Sequence, residues 1–369
     1  MITNTQFDLL KPGTNYISVR VYDNAGNVSA STDVFYIIKS ANPPSIIDNQ
    51  TGDDVWRNTN NGVYDVDFVA NYGNLTYFEI KSSTPDAQWV TVLDNINAPT
   101  YTTNWSLPQT FWDLLPEGTN YISVRVWNSG GFFSTQDNVF YVLKDTTTPQ
   151  GTATSPDYIN SYTFNLYYST SDNLSGVDYV KLYYTYENQA PYNWIQFGDT
   201  FTALPILFTS TQTGYVGFKI AAYDRAGNIE ESSPTSTTSP EHFVGIDLTN
   251  PLIVKNFSGD DIWRNSGGIV YDVDFLASGI SPLQKGQYKA KDGYGNTVID
   301  WTDIATINSS SYTQNWPVNF DLLSSSFNYI SVRVWNLAGT TKTLDDLFYI
   351  KKDTQAPSVD DQQVGDNIW

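Results

Sequence analysis

Two stretches of the chain set adjacent carboxylates just ahead of a tryptophan: Asp53, Asp54 and Trp56, then Asp260, Asp261 and Trp263. A third copy, Gly365–Trp369, keeps a single acid, Asp366. Neighbouring carboxylates in a loop offer oxygen ligands to Ca²⁺, which takes about six to eight of them. Carboxylate pairs also act as general acid and base in hydrolases, but those face each other across a substrate, whereas neighbours on an extended strand point apart. The competing reading is structural: Gly-Asp-Asp forms an Asx-type turn, and the tryptophan closes the end of a core. A second acidic pattern is D-x-A-G-N, at Asp23–Asn27 and Asp224–Asn228. Here the aspartate can bond its own backbone two residues on while glycine takes a positive φ, or its carboxylate can serve a metal.

Other chemistries are excluded by residue counts. The chain has no cysteine and one histidine, His242, so it builds no disulfide framework, iron–sulfur cluster, cysteine nucleophile or Cys/His zinc site. A Ser-His-Asp triad would rest wholly on His242, which reads as a surface residue on a strand edge. Lys and Arg number 19 against 39 Asp and Glu, a net charge of −20, and such a surface repels nucleic acid. No stretch reaches the ~18 apolar residues of a membrane helix, so no membrane insertion is expected in this segment. No charged-then-apolar leader opens the chain, so a secretion signal is expected to lie outside it.

A third recurring set is aromatic and cationic. Tyr121, Arg125 and Trp127 alternate along one strand face, and the set returns as Tyr329, Arg333 and Trp335 and as Tyr16, Arg20 and Tyr22. Three readings remain open: a cross-strand ladder that stabilises the sheet, a lateral contact with the acidic face (Asp65, Asp67) of a neighbouring chain, or a platform for sugar rings.

The elements that must position these groups are strands. The composition, 15% aromatic and only 16% charged, favours β structure with polar turns. In VYDVDFVA, Tyr64, Val66 and Phe68 share one face and Asp65 and Asp67 the other; in YISVRVWN, Ile122, Val124 and Val126 point one way. Further strands are expected near 77–82, 89–93, 101–106 and 132–143, with no helical period.

These patterns repeat. TGDDVWRNTNNGVYDVDF (51–68) returns as SGDDIWRNSGGIVYDVDF (258–275), and NYISVRV starts at Asn15 and Asn120, with NYISVRV again at Asn328. Prolines at 44, 149, 251 and 357 mark joints, so the unit is roughly 104 residues, the size of a β-sandwich. The phasing predicts the second half of a module over 1–40, whole modules over 41–147, 148–249 (divergent) and 250–355, and the start of another over 356–369. Short proline-bearing joints predict restricted motion and an end-to-end rod.

VRVYDNAGNVS and KIAAYDRAGNIEES, each followed by a strand and a D-x-x-x-P joint, resemble bacterial immunoglobulin-like repeats of large secreted surface proteins and adhesins. The resemblance covers essentially the whole chain. It implies an all-β tandem array of Ig-like or fibronectin III-like antiparallel sandwiches, non-catalytic and extracellular, acting as a stalk, fibre or surface-layer spacer. The implied partners are neighbouring modules, like chains in a fibre or layer, and glycans in a carbohydrate-binding or accessory array. It also implies calcium at module junctions, placed here on the joint aspartates Asp145, Asp247 and Asp353 and on Asp23 and Asp224. The first joint departs from the pattern with Ser40, and two loops carry Asn128 and Asn336 in place of aspartate.

Overall fold

The computed structural model describes residues 2–39, 42–50, 53–231, 233–258 and 261–365. Ser40, Asp260 and Asp366 lie outside them. The chain forms two compact units. One holds Met1–Gln150 with Thr170–Tyr179 and Ala222–Glu230; the other holds Gly151–Ser169, Val180–Ala221 and Glu231–Trp369.

The first unit opens with a short helix, α1 (Asn4–Asp8), and a hairpin of β1 (Gly13–Tyr22) and β2 (Val28–Lys39) that forms a two-stranded sheet by itself. A full sandwich follows. One sheet is β3 (Ser45–Asp48), β5 (Val66–Val69) and β8 (Thr100–Tyr101), with β5 central. The facing sheet runs in the order β4 (Trp56–Arg57), β10 (Phe133–Lys144), β9 (Gly118–Asn128), β6 (Leu75–Ser82), β7 (Val90–Leu93).

Alternation decides which side chains turn inward. Tyr64, Val66 and Phe68 meet Phe78, Ile80, Ile122, Val124 and Val126 in one core, with Trp105 and Phe140 closing it. The sequence-level strand near 101–106 is shorter than expected: only Thr100–Tyr101 pairs as a strand, and Trp105 makes a single bridge to Tyr64. A helix unforeseen from the pattern, α2 (Gln109–Leu114), buries Phe111 and Trp112; at six residues it is too short to show a helical period.

Lys144, at the end of β10, turns its ammonium into the module and donates to the carbonyls of Trp112 and Leu115 at 3.2 and 2.8 Å. It thereby adds a cation at the carbonyl end of α2, where the helix dipole is negative; the Trp112 carbonyl also takes the Leu115 amide at 3.1 Å. Lys39 does the same for Phe7 and Asp8.

The second unit contains most of the divergent sandwich and all of the last one. Each has a five-stranded sheet facing a three-stranded one, and the last adds a two-stranded ribbon of Val270–Tyr271 and Trp316–Pro317. In the last sandwich Lys352 reaches the carbonyls of Phe320, Asp321 and Leu323, matching Lys144. The chain is thus a tandem array of Ig-like, nearly all-β sandwiches. One pairing recurs in each complete module: a two-residue strand near its start lies parallel to its last strand. The pairs are Trp56–Arg57 with Leu143–Lys144, Tyr158–Ile159 with Gly245–Ile246, and Trp263–Arg264 with Lys351–Lys352.

Candidate functional site

The joint aspartates follow directly from that parallel strand. The amide of Asp145 donates to Arg57 O, that of Asp247 to Ile159 O and that of Asp353 to Arg264 O, each at 2.9–3.0 Å. Asp145 and Asp247 are fully or nearly fully buried, and their carboxylates are held alike. Asp145 accepts from Thr147 N and Oγ1 on one oxygen and from Ser175 N on the other. Asp247 accepts from Thr249 N and Oγ1 and from Ser281 N. Asp353 is exposed and accepts from Gln355 N.

Beyond this shared frame the two buried joints differ. Around Asp145, two loops bring further carboxylates. Asp172 receives the amides of Leu174 and Gly176; Asp224 receives Asn228 N and Nδ2. One oxygen from each of Asp145, Asp172 and Asp224 lies within 4.8 Å of the other two. No ion pair joins these three to Lys or Arg among the described residues. Burial would push the Asp145 carboxyl up, but hydrogen bonds from Ser175 and Thr147 outweigh it and hold the group below the usual carboxylate range.

Around Asp247 the corresponding loop residues are Ser278 and Asn336. Asn336 Oδ1 accepts from Thr340 N while its Nδ2 reaches back to Thr249 O at 3.4 Å. Asn128 does likewise with Asn42 O at 3.0 Å. An amide at this position can donate to the joint and needs no cation, whereas Asp224 leaves that bond to Asn228, whose Nδ2 reaches Asp145 O at 2.8 Å.

The Asp145 cluster fits a hard divalent cation by its donor set: three carboxylates, oxygen only. A second observation points the same way. The hydroxyl of Ser175, 2% exposed, sits beside Asp145 close enough to help hold its carboxyl low, yet meets no partner at hydrogen-bond geometry. Buried hydroxyls ordinarily find a partner. In the other joint the equivalent Ser281 hydroxyl is satisfied, accepting from Ala338 N at 2.9 Å.

The other acidic residues go elsewhere. Asp53 turns inward onto Arg57 at 3.0 Å, and Asp54 turns out to the Tyr141 hydroxyl. Asp261 meets Tyr349 and Lys351. Asp23, on the surface, accepts from Ala25 N, Asn27 N and Asn27 Nδ2 in its own loop. Of the acidic residues singled out from sequence, the structure brings only Asp145 and Asp224 into one cluster among the described residues. It adds Asp172, whose D-N-L-S-G stretch has no counterpart in the neighbouring modules and so left no repeat signal.

The outer aromatic face is a stack. The Arg125 guanidinium lies 4.4 Å from the ring centre of Trp89 and 5.4 Å from that of Trp127, and Glu79 binds both Arg125 and the Trp127 indole. Tyr77 stacks on Trp127 at 5.6 Å and Phe133 leans on it at 4.5 Å. In the last module Arg333 sits 4.1 Å from Trp301 and 4.3 Å from Trp335, and Gln287 replaces the glutamate. Tyr121 and Tyr329 each pair instead with the tyrosine across the strand, Tyr141 and Tyr349. This is the geometry of a cation–aromatic ladder, and a sugar ring would have to displace the arginine from Trp127. Trp89 and Trp301 escaped sequence reasoning because they lie outside the repeated Y-x-x-x-R-x-W pattern, Trp89 just before β7 and Trp301 within the strand Thr297–Ser309.

No family model matches the chain, and no curated protein does. Solved structures do. A tetra-tandem repeat from the extending region of a large adhesion protein is 16% identical, covering 93% of this chain and 82% of that one, with a TM-score of 0.29. A structure of a bacterial ice-binding adhesin is 16% identical over 85% of this chain and 99% of that one, with a TM-score of 0.32. A titin fragment is 11% identical over 84% and 99%, with a TM-score of 0.27.

Proposed function

We propose that this chain is a non-catalytic spacer or stalk segment of an extracellular surface protein, built to carry tension, with calcium at the Asp145 joint. The observation that carries the reading is the parallel pairing of the two-residue strand near each module's start with the module's last strand. Pulling a module by its two ends loads parallel partners in opposite directions along their length, so their hydrogen bonds must break together. An antiparallel end pair would open one bond at a time. The lysine at the end of the last strand adds bonds that resist the same displacement.

Calcium at Asp145, Asp172 and Asp224 would tie the end of one sandwich to two loops that follow it in sequence, at residues 172–176 and 224–228. Its role there is charge neutralisation and cross-linking; these residues only bind and orient.

Single-molecule stretching tests the proposal. A module of roughly a hundred residues releases about 300 Å or more of chain at ~3.3–3.6 Å per residue. The expected record is a series of such steps, each at a force well above that needed to extend an unfolded chain. A featureless extension, or release without discrete steps, refutes a tension-bearing role.

A further inference from the structure

The last module opens a cleft where the first complete module is filled. Asn60 and Asn61 of the first stand where the last has Gly267 and Gly268. The Asn60 amide reaches inward to Leu107 O at 2.8 Å, and a glycine sends nothing there. Trp105 and Trp316 are counterparts, their indoles donating to the carbonyls of Val66 and Val273. Lys144 and Lys352 likewise mark Leu115 and Leu323 as counterparts. Leu115 follows Trp105 by ten residues, whereas Leu323 follows Trp316 by seven. The shorter connection reduces α2 to one 3-10 turn, Phe320–Leu322, and the ring of Phe111, buried in the first module, has no apolar counterpart. What fills the place in the first module is that module's own Asn60 and Phe111, not a neighbour.

The cleft measures about 430 Å³, a size that holds a small ligand. Its floor is Tyr288 and Trp316, 5% and 2% exposed, which stack on each other at 5.6 Å, and Ile304, Val318 and Phe320 wall it. The polar groups around it differ in kind. The Tyr288 hydroxyl accepts from Asn319 N at 3.2 Å, and no acceptor among the described residues takes its own proton. Asp303 is held by the Gln287 amide, itself fixed by Arg333, while the Asp321 carboxylate has no partner among the described residues. The Thr302 hydroxyl donates to Asp300 O at 2.8 Å, which leaves its lone pairs open. One buried donor therefore meets several acceptors, and no lysine or arginine lines the cleft.

We propose that this cleft binds a neutral sugar as a single ring, its hydroxyls accepting from Tyr288 and donating to Asp303 and Asp321 while its C–H face lies on Val318 and Phe320. A hydroxyl both accepts and donates, so it answers both kinds of group. An alkylammonium satisfies the carboxylates but leaves the Tyr288 proton unbonded. The faces of Tyr288 and Trp316 are occupied by each other, so a quaternary ammonium finds no cation–π seat. An anionic ligand would meet two aspartates. A divalent metal lacks ligands, because Asp303 and Asp321 belong to no three-acid cluster among the described residues. The site uses neither the Trp127 ladder nor the Asp145 cluster, and it stands independently of the tension-bearing role.

Saturation-transfer NMR and titration on the 369-residue chain, with the methyl glycosides of glucose, galactose, mannose and N-acetylglucosamine, test the assignment. At least one is expected to bind with a dissociation constant on the order of 1 mM, as suits a ligand of few atoms. Asp303→Asn and Asp321→Asn keep the shape and lose the charge, and Tyr288→Phe loses only the hydroxyl; each is expected to weaken that sugar about tenfold. Asp303 and Asp321 are exposed, so an unchanged melting curve certifies the fold of their variants even if Tyr288→Phe proves unstable. Trp127→Ala, in the first complete module, is expected to leave the affinity as it was. Silence from all four glycosides, an affinity that Asp303→Asn and Asp321→Asn leave intact, or one that falls with Trp127→Ala instead overturns the proposal.

Discussion

Asp172→Asn separates a cation site from a cluster of aspartates that merely coexist. Three carboxylate oxygens within 4.8 Å of one another repel by about 3 kcal/mol per pair at an effective dielectric constant of ~20, and by less where Asp172 meets solvent. Asparagine keeps an oxygen for the amides of Leu174 and Gly176, so the loop should hold its shape, and the chain without calcium should be as stable as before or slightly more so. With calcium at about a hundred times its dissociation constant, the unsubstituted chain should gain about 2.7 kcal/mol. For a unit of this size, that raises the melting transition by about 5–10 °C. Calorimetry in millimolar calcium and in chelator reads both numbers, and the variant should lose most of the increment. A melting curve that ignores calcium in the unsubstituted chain refutes the site; an increment that survives Asp172→Asn refutes this ligand set.

Lys144→Met removes two charge-assisted bonds to the end of α2, taking the ammonium from the Leu115 carbonyl and leaving Trp112 O with the Leu115 amide alone; a loss of about 2–4 kcal/mol is expected in denaturant unfolding, with little change if the ammonium is solvated instead. Arg125→Lys should cost about 1–2 kcal/mol despite keeping the charge, because the planar group stacked against Trp89 and bonded to Glu79 is lost, while Glu79→Gln, the pair already used at Arg333, should cost less. Gly279→Ala would place a methyl 2.2 Å from an Asp247 oxygen and should destabilise the Asp247 joint by roughly 2 kcal/mol or more; a neutral outcome would mean the joint yields freely. The carboxyls of Asp145, Asp23, Asp261 and Asp292 all sit below their ordinary range, so the stability they contribute is complete above about pH 4 and disappears as pH falls through their folded values. Denaturant midpoints measured from pH 6 to pH 3 should therefore hold level and then drop; a rise on acidification would contradict it.

What could be read from the residues followed the physics of each signal. Alternation in VYDVDF and YISVRVW gave the inward rows of Tyr64, Val66, Phe68, Ile122, Val124 and Val126, because a half-buried strand writes its burial with period two. Repetition revealed the tandem architecture. Three things stayed hidden. The helix at Gln109–Leu114 is shorter than two turns. The role of Lys144 depends on carbonyls some thirty residues earlier, which spacing along the chain does not reveal. Asp172 joins Asp145 and Asp224 only because two loops converge, and the divergent module that supplies it has no second copy to draw attention to it.

Lys144 and Asp145 are neighbours that face opposite ways. The lysine fastens the preceding sandwich through Trp112 and Leu115, and the aspartate gathers Thr147, Ser175 and, through its carbonyl, Asn228. A dipeptide shared in this manner acts as a rivet through two plates. Denaturation of the earlier sandwich must loosen the loops that follow, so adjoining repeats should melt as a nearest-neighbour chain and not as beads on a string.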